Sequence, residues 1–344
     1  MSHQESAPGK LALSPQQQNR LVLAVLGIAV SVAGLVALAQ SMANNIPTTA
    51  QWDAKLAAVI HSDNTQSVVL PSGKTLWVFG DTTQANGTSV VTSKGFPHDS
   101  FVLQDAGAMN FHAVPGSYGY GWQQVPNWAD GTYFWMSSPV VDHGTLYILG
   151  SRIKGESPYK VVGEYAAEFN ASTLKFEKMV SVPAGANGQT VWGGIAADSN
   201  GWWVSGTHSV SCSLSTDCRA GDFAWVPVGD LGTATMWQVH TDVIPAGTNI
   251  GTVVAVTKAR HGWVAFSKTG DSFGGTTIER LTAQSVTGTW RAAGAYPAVS
   301  PAGSMTYSVA VHPEQAAAAG NVLVSYNVNG ISADYHAMFE YLPE

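Results

Sequence analysis

Two aspartates, Asp63 and Asp81, have a type and spacing that suit acid–base chemistry. Asp63 follows a predicted apolar strand at Leu56–Ile60, and Asp81 ends a predicted strand, LWVFG, at 76–80. A hairpin of about 17 residues separates them, so both are expected at the same end of one β-hairpin. Two carboxyl groups that flank a sugar can cleave a glycosidic bond, because one protonates the leaving oxygen while the other activates water or attacks the anomeric carbon. The alternative is structural: Asp81 caps a turn and Asp63 forms an Asx-turn.

Several other side chains have the chemistry to contact a sugar. Aromatic rings can stack on a sugar face, and imidazole, phenol and amide groups can hydrogen-bond to its hydroxyls. For each of them, core packing or a turn is the structural alternative. The candidates are His98, Trp135, Trp192, His312, Tyr326 and Asn327.

Other reaction classes lack their signatures. No His, Asp or Glu cluster has zinc spacing, no G-x-S-x-G marks a nucleophilic serine, and neither a P-loop nor G-x-G-x-x-G is present. No metal and no cofactor are therefore predicted. The net charge of −7 with only 16 Lys and Arg also argues against nucleic-acid binding, which needs a basic surface.

A repeated pattern of strands is expected to position the two acids. An apolar strand, a turn with Gly or Asn, and a second strand recur at 67–81, 139–151, 194–207, 253–269 and 309–327. A period of about 60 residues is typical of a propeller or solenoid. We predict an all-β protein with one five-bladed β-propeller domain over residues 44–344, and a pair of β-sandwiches as the alternative. Its Trp residues are expected mainly between blades.

The first 43 residues predict export or membrane anchoring. Residues 1–20 form a polar tail, and residues 21–39 carry no charge. Nineteen helical residues span about 28 Å, close to the about 30 Å of a bilayer core. Because Lys10 and Arg20 precede this run, the tail is expected in the cytoplasm and the propeller outside. We therefore expect a transmembrane helix within 21–43, with the chain either anchored in the cell membrane by this single span or secreted after cleavage near Ala39 or Ala43.

The expected export also bears on the state of the two cysteines. Cys212 and Cys218 lie in the loop-like stretch SCSLSTDC, and an exported domain meets an oxidising environment. We predict a disulfide between them that closes a surface loop, and two free thiols are the alternative.

The first hairpin also resembles a known family. The stretch SDNTQSVVLPSGKTLWVFGDTT at 62–83 resembles the opening of a five-bladed family of secreted glycoside hydrolases from actinobacteria and their phages. That family was long classed as a domain of unknown function, and its characterised members are endo-D-arabinanases. Weaker similarity in the same order occurs at 97–105, 133–149, 307–314 and 323–330.

The resemblance implies a function and site residues. Asp63 and Asp81 match the family's two acids, with Asp63 as base or nucleophile and Asp81 as general acid. Asp99 stands where the family usually has Asn, and we include it among the substrate-binding candidates. The implied substrate is arabinan or a related cell-envelope polysaccharide. Furanosidase propellers more widely place three acids on three blades, a pattern not evident here. The alternative function is a non-catalytic propeller that binds envelope glycan or a protein partner.

Overall fold

The structure is a computed structural model that describes residues 46–93, 95–118, 121–155, 159–185, 188–211, 218–269, 275–301, 304–330 and 335–344. The chain divides into two units, Met1–Ile46 and Pro47–Glu344, and nearly all described residues belong to the second. The predicted tail at 1–20, the predicted membrane segment and Cys212 lie outside the described residues. Within the described ranges, no helix is long and apolar enough to cross a membrane. Anchoring and the Cys212–Cys218 pairing thus stay predictions.

The second unit is built almost entirely from β-strands, with one helix and one 3₁₀ turn at Ala234–Met236 among its described residues. In chain order the elements are α1 (Thr49–Ala57), β1 (Ile60–Ser62), β2 (Gln66–Val69), β3 (Thr75–Phe79), β4 (Thr82–Ala85), β5 (Thr88–Ser89), β6 (Ser100–Gln104), β7 (Phe111–Val114), β8 (Tyr133–Asp142), β9 (Thr145–Lys154), β10 (Lys160–Asn170), β11 (Phe176–Ser181), β12 (Val191–Asp198), β13 (Gly201–Val210), β14 (Cys218–Pro227), β15 (Gln238–Ile244), β16 (Val254–Ala259), β17 (Gly262–Lys268), β18 (Thr277–Ala283), β19 (Arg291–Pro297), β20 (Met305–His312), β21 (Asn321–Asn329) and β22 (Tyr335–Pro343).

Five antiparallel sheets of the described chain form the blades of a closed ring. Their strand orders are β2-β3-β6-β7, β8 to β11, β12 to β15, β16 to β19, and β20-β21-β22, here called blades I to V. The first strand of each blade contacts that of the next, and β20 contacts β2 again. A small sheet, β1-β4-β5, lies beside blade I in the chain. Each repeat predicted from sequence coincides with the first hairpin of one blade, which confirms the all-β propeller prediction.

The hydrophobic core lies between the blades. The described apolar residues form five clusters, and each joins two neighbouring blades. Trp192 and Trp237, for example, pack between blades II and III, and Trp263 and Trp290 between blades III and IV. Because both faces of a blade are covered, few charged residues are needed, which explains the 11% charged content.

The structure corrects the strand that was expected at residues 56–60. Helix α1 continues to Ala57, and β1 begins only at Ile60. The helix starts with a capping box, in which the Thr48 hydroxyl accepts from the Gln51 amide and the Gln51 side chain accepts from the Thr48 amide. Trp52 and Leu56, four residues apart, then share its buried face.

Helix α1 joins the first and last blades. Trp52 packs against Trp77 of blade I and Phe339 of blade V, with ring centroids 5.6 and 5.7 Å away. Its indole nitrogen donates a 3.0 Å hydrogen bond to the Tyr341 hydroxyl, and Asp53 accepts one of 2.9 Å from the Phe339 amide. The helix therefore closes the ring between the first and last blades.

We predict that Trp52→Ala lowers the free energy of unfolding by about 3–5 kcal/mol, because the ring is 1% exposed and its loss leaves a cavity at the closure. Lys55→Ala, on the exposed face of the same helix, is the control and should change it by less than about 0.5 kcal/mol. Urea denaturation measures both. Equal stability of the two variants would contradict the closing role of α1.

Candidate functional site

The hairpin β2–β3 brings Asp63 and Asp81 to the same end of blade I. Asp63 lies between β1 and β2, and Asp81 between β3 and β4. Because β2 and β3 are antiparallel with Gln66 opposite Val78, these two connections meet. The Asp81 amide donates to Asp63 Oδ1 at 2.8 Å, and the Asp63 amide donates to the Asp81 carbonyl at 3.2 Å. The structure thus has the predicted convergence of the two acids.

Gly80 allows this close approach. The Gly80 amide donates a 2.9 Å hydrogen bond to the Asp63 carbonyl. A Cβ at position 80 would overlap Asp63 Oδ1 and lie 3.2 Å from Trp135 Nε1. The segment Phe79–Thr82 therefore needs glycine at position 80, between β3 and Asp81.

Asp63 lies in a buried aromatic setting. The residue is 5% exposed, and its Oδ2 accepts a 3.0 Å hydrogen bond from the Tyr307 hydroxyl. Burial, with the nearby Asp81 charge, raises the pKa of Asp63 to about 8, although hydrogen bonds from Tyr335 and Tyr307 oppose the shift. This shift favours the protonated form of Asp63 at neutral pH.

Asp81 occupies a different environment. Its Oδ1 accepts hydrogen bonds from His98 Nδ1 at 2.7 Å and from Trp135 Nε1 at 2.9 Å. The His98 ring stacks on Tyr133, with centroids 3.6 Å apart and an angle of 15° between the planes. Asp81 is half-buried whereas Asp63 is buried, so solvent reaches Asp81 more readily than Asp63. The predicted substrate-binding residues His98 and Trp135 therefore both contact Asp81, and Trp135 does so through its indole nitrogen.

Two adjoining cavities meet at Asp63. The first has a volume of about 180 Å³, and both acids line it. The second, of about 240 Å³, lies at the mouth of the ring, where the starts of the inner strands converge. Four residues line both: Asp63, Trp135, Tyr159 and Tyr307. Each cavity is smaller than the about 300–1,000 Å³ of drug-sized sites, which suits one small sugar unit apiece.

Asn327 supports the loop that carries Asp63. Its side-chain oxygen accepts from the Thr65 amide at 3.4 Å, and its nitrogen donates to the Ser62 carbonyl and the Thr65 hydroxyl, both at 3.3 Å. Asn327 is fully buried. The structure therefore corrects its predicted contact with substrate, since Asn327 fixes both sides of Asp63 from blade V.

Three further substrate-binding candidates have side chains that lie in the core, although Trp192 also lines the 240 Å³ cavity. Trp192 is 1% exposed, and its nitrogen donates to the Pro183 carbonyl at 2.6 Å. The His312 ring is fully buried between the hydroxyls of Ser67 and Ser325, and burial lowers its pKa to about 3. Tyr326 is also fully buried, and its hydroxyl donates to the Val299 carbonyl at 3.0 Å.

Asp99 is likewise structural and lines neither cavity. It is fully buried, and its Oδ1 accepts hydrogen bonds from the amides of Gln124 and Val125. Burial raises the pKa of Asp99 to about 8. Its Oδ2 has no hydrogen-bond partner among the described residues, and burying an unpartnered negative charge there would cost more than burying the neutral carboxyl group.

Tyr307, Tyr335 and Tyr133 were not predicted from the sequence. Tyr307 is the third residue of β20, as Trp135 is the third residue of β8. Aligning the repeats by their inner strands would have pointed to Tyr307 from the sequence.

Within the described residues, no group of three His, Cys, Asp or Glu side chains is placed to hold a metal ion.

We predict that Asp99→Asn flattens the pH dependence of stability. The folded pKa of about 8 exceeds the ordinary value of 3.8, so between them the folded state holds a proton that the unfolded state has released. The free energy of unfolding of the wild type therefore falls as pH rises through this window. The variant lacks this proton and should lose less stability in urea titrations at pH 5 to 8.

Asp105→Asn is the control for that experiment. Lys74 and neighbouring hydrogen bonds lower the pKa of Asp105 to about 2, so Asp105 is ionised in both states across the window. Its replacement should leave the slope unchanged. A wild-type slope in Asp99→Asn would contradict a protonated Asp99.

Comparison with known proteins places the chain in a family. The model described as Domain of unknown function (DUF5005) matches residues 51–342. No curated protein matches the sequence.

Three solved structures are similar to the fold. A presumed hydrolase from Bacteroides ovatus has a TM-score of 0.62 at 12% identity, covering 85% of this chain and 88% of its own. An endo-arabinase from Bacteroides thetaiotaomicron has a TM-score of 0.56 at 10% identity, with coverages of 84% and 96%. An alpha-L-arabinanase variant from Cellvibrio cellulosa has a TM-score of 0.52 at 11% identity, with coverages of 83% and 92%.

These identities establish a shared fold. They support the predicted resemblance in its coarse form, a propeller family classed as a domain of unknown function, while the narrower endo-D-arabinanase assignment stays a prediction. Because the family model spans most of its length, the chain belongs to the DUF5005 family.

Proposed function

We propose that this protein is a glycoside hydrolase that acts on arabinan or a related cell-envelope polysaccharide. The observation that carries the proposal is the pair of carboxyl groups, Asp63 and Asp81, in one small aromatic cavity. The similarity to structures named endo-arabinase and alpha-L-arabinanase supports it. So does the resemblance of residues 62–83 to an arabinan-cleaving family.

The different environments of the two acids suggest their roles. Asp63, with a pKa of about 8, is suited to donate a proton to the leaving glycosidic oxygen. Asp81 accepts two N–H hydrogen bonds, as a carboxylate does, and is suited to take a proton from the attacking water or to attack the anomeric carbon itself. This assignment reverses the roles expected from sequence.

The remaining groups orient the reaction. Tyr307 and Tyr335 hydrogen-bond to Asp63, while His98 and Trp135 hydrogen-bond to Asp81. A furanose ring in the 180 Å³ cavity would meet these aromatic side chains, and the next unit of the glycan would extend into the 240 Å³ cavity. Hydrolysis adds the elements of water across the broken bond and returns both acids to their starting protonation states.

We further propose that the enzyme works outside the cytoplasm. Residues 21–39 would anchor it in the cell membrane, and cleavage near Ala39 or Ala43 would release it. This placement would bring the propeller to the polysaccharides of the cell envelope.

We predict that the full-length chain releases oligosaccharides from arabinogalactan or lipoarabinomannan. Asp63→Asn and Asp81→Asn should each lower the rate at least about 100-fold, the scale of a lost acid–base step. Asp105→Asn, at a half-buried acid that lines neither cavity, should retain the wild-type rate. Reducing-end assays measure release, and circular dichroism monitors folding.

The outcomes separate two functions. Unchanged release in both folded acid variants would contradict the proposed roles. Binding of the glycan without any release by the wild type would instead favour a non-catalytic propeller.

We predict that kcat/KM falls as pH rises above about 8, because Asp63 then loses the proton that it must donate. The Tyr307 hydroxyl stabilises the ionised form of Asp63, so Tyr307→Phe should raise the Asp63 pKa and move this alkaline limb to higher pH. Tyr118→Phe, outside both cavities, is the control. A limb that stays in place in Tyr307→Phe would contradict the assignment of the proton to Asp63.

A further inference from the structure

A groove lined by arginines lies at the other end of the propeller from the acid pair. The acids and the 240 Å³ cavity sit where the inner strands begin. The groove forms where β16 ends, around the turn Arg260–His261, and has a volume of about 860 Å³. It is therefore a separate concave surface, formed mainly by blade IV.

The groove concentrates positive charge in an acidic protein. Three of the six arginines of the chain line it: Arg260, Arg280 and Arg291. His261 adds an imidazole, and Glu344 is the single acidic residue of the lining. Against a net charge of −7, such clustering on one surface creates a local positive field.

Arg260 and Arg291 have no carboxylate partner among the described residues, whereas Arg280 is held by main-chain oxygens, including that of the last residue, Glu344. The Arg280 guanidinium donates to the main-chain oxygens of Pro343 at 2.9 Å, Ala293 at 3.2 Å and Glu344. Those bonds fix Arg280 between blades IV and V. Arg260 and Arg291 are exposed and form no ion pair with the described part of the chain. Two guanidinium groups are therefore available to a ligand.

Neutral hydrogen-bonding groups lie between the charges. Thr282, Gln284 and Thr289 line the groove with hydroxyl and amide groups, and the Trp263 ring lies among them. Guanidinium groups match carboxylate and phosphate oxygens, while hydroxyl and amide groups match sugar hydroxyls. The lining thus combines the chemistry that recognises an anion with the chemistry that recognises a sugar.

We propose that this groove binds an acidic polysaccharide, through the uronate or phosphodiester groups of its repeating units. Exposed ion pairs are individually worth about 0–1 kcal/mol, so useful affinity requires several anionic groups on one chain. None of the exposed large apolar residues lines the groove, which does not fit insertion into a lipid surface. The site would hold a glycan strand on the face opposite the acid cavity, independently of hydrolysis.

The test measures binding of two polyanions to the full-length chain by calorimetry. Alginate oligomers supply carboxylates, polyglycerol phosphate supplies phosphodiesters, and dextran is the neutral control. We expect at least one polyanion to bind, with affinity that falls as salt rises from about 50 to 200 mM, and no binding of dextran. The polyanion that binds more tightly identifies the anionic group.

Matched variants locate the site. Arg260→Gln combined with Arg291→Gln should weaken polyanion binding at least about tenfold and reduce its salt dependence, because two charged contacts are lost. Lys160→Gln combined with Lys175→Gln makes the same charge change at exposed positions outside the groove and should leave binding unchanged. Asp81→Asn should also bind as the wild type does, which separates this site from the acid cavity.

Three results would overturn the proposal. They are equal binding by the arginine double variant and the wild type, equal losses in the arginine and lysine variants, and no binding of either polyanion at low salt.

Discussion

The hydrogen bond from the Asp81 amide to the Asp63 carboxyl group is the contact on which the rest of the site depends. At 2.8 Å it ties one acid to the backbone of the other, and Gly80 leaves the space that it needs. The two acids are therefore fixed relative to each other within one local hairpin. Burial of Asp63 beside Asp81 then raises the pKa of Asp63, as a general acid at neutral pH requires.

Ring closure completes that environment. Tyr307 and Asn327 belong to blade V, more than 240 residues after Asp63 in the chain. They reach Asp63 only because blade V packs beside blade I, where α1 joins both through Trp52. Stability at the closure and the chemistry of Asp63 are thus linked: loosening blade V would admit water to the carboxyl group and lower its pKa toward the ordinary value.

The parts of the molecule that depend on local sequence were predictable. The alternation of apolar residues and turn residues predicted the hairpins, and the hairpin between Asp63 and Asp81 predicted that the acids meet. Contacts between residues far apart in the chain were harder to predict from the sequence. The composition predicted that Trp residues lie between blades, as Trp192 does, but it did not tell which ring would instead face a cavity, and Tyr335 enters the site only through ring closure. The run at 56–60 was too short to distinguish strand from helix, although Thr48 and Gln51 carried a capping signal.

The central claim is that Asp63 holds a proton at neutral pH beside Asp81. Carbon-13 NMR of carboxyl-labelled aspartate measures this directly, with Asp63→Asn identifying the resonance. The account predicts one resonance, absent from that variant, that titrates near pH 8, in line with burial of the group. An Asp63 resonance that titrates near the ordinary value of 3.8 would contradict it.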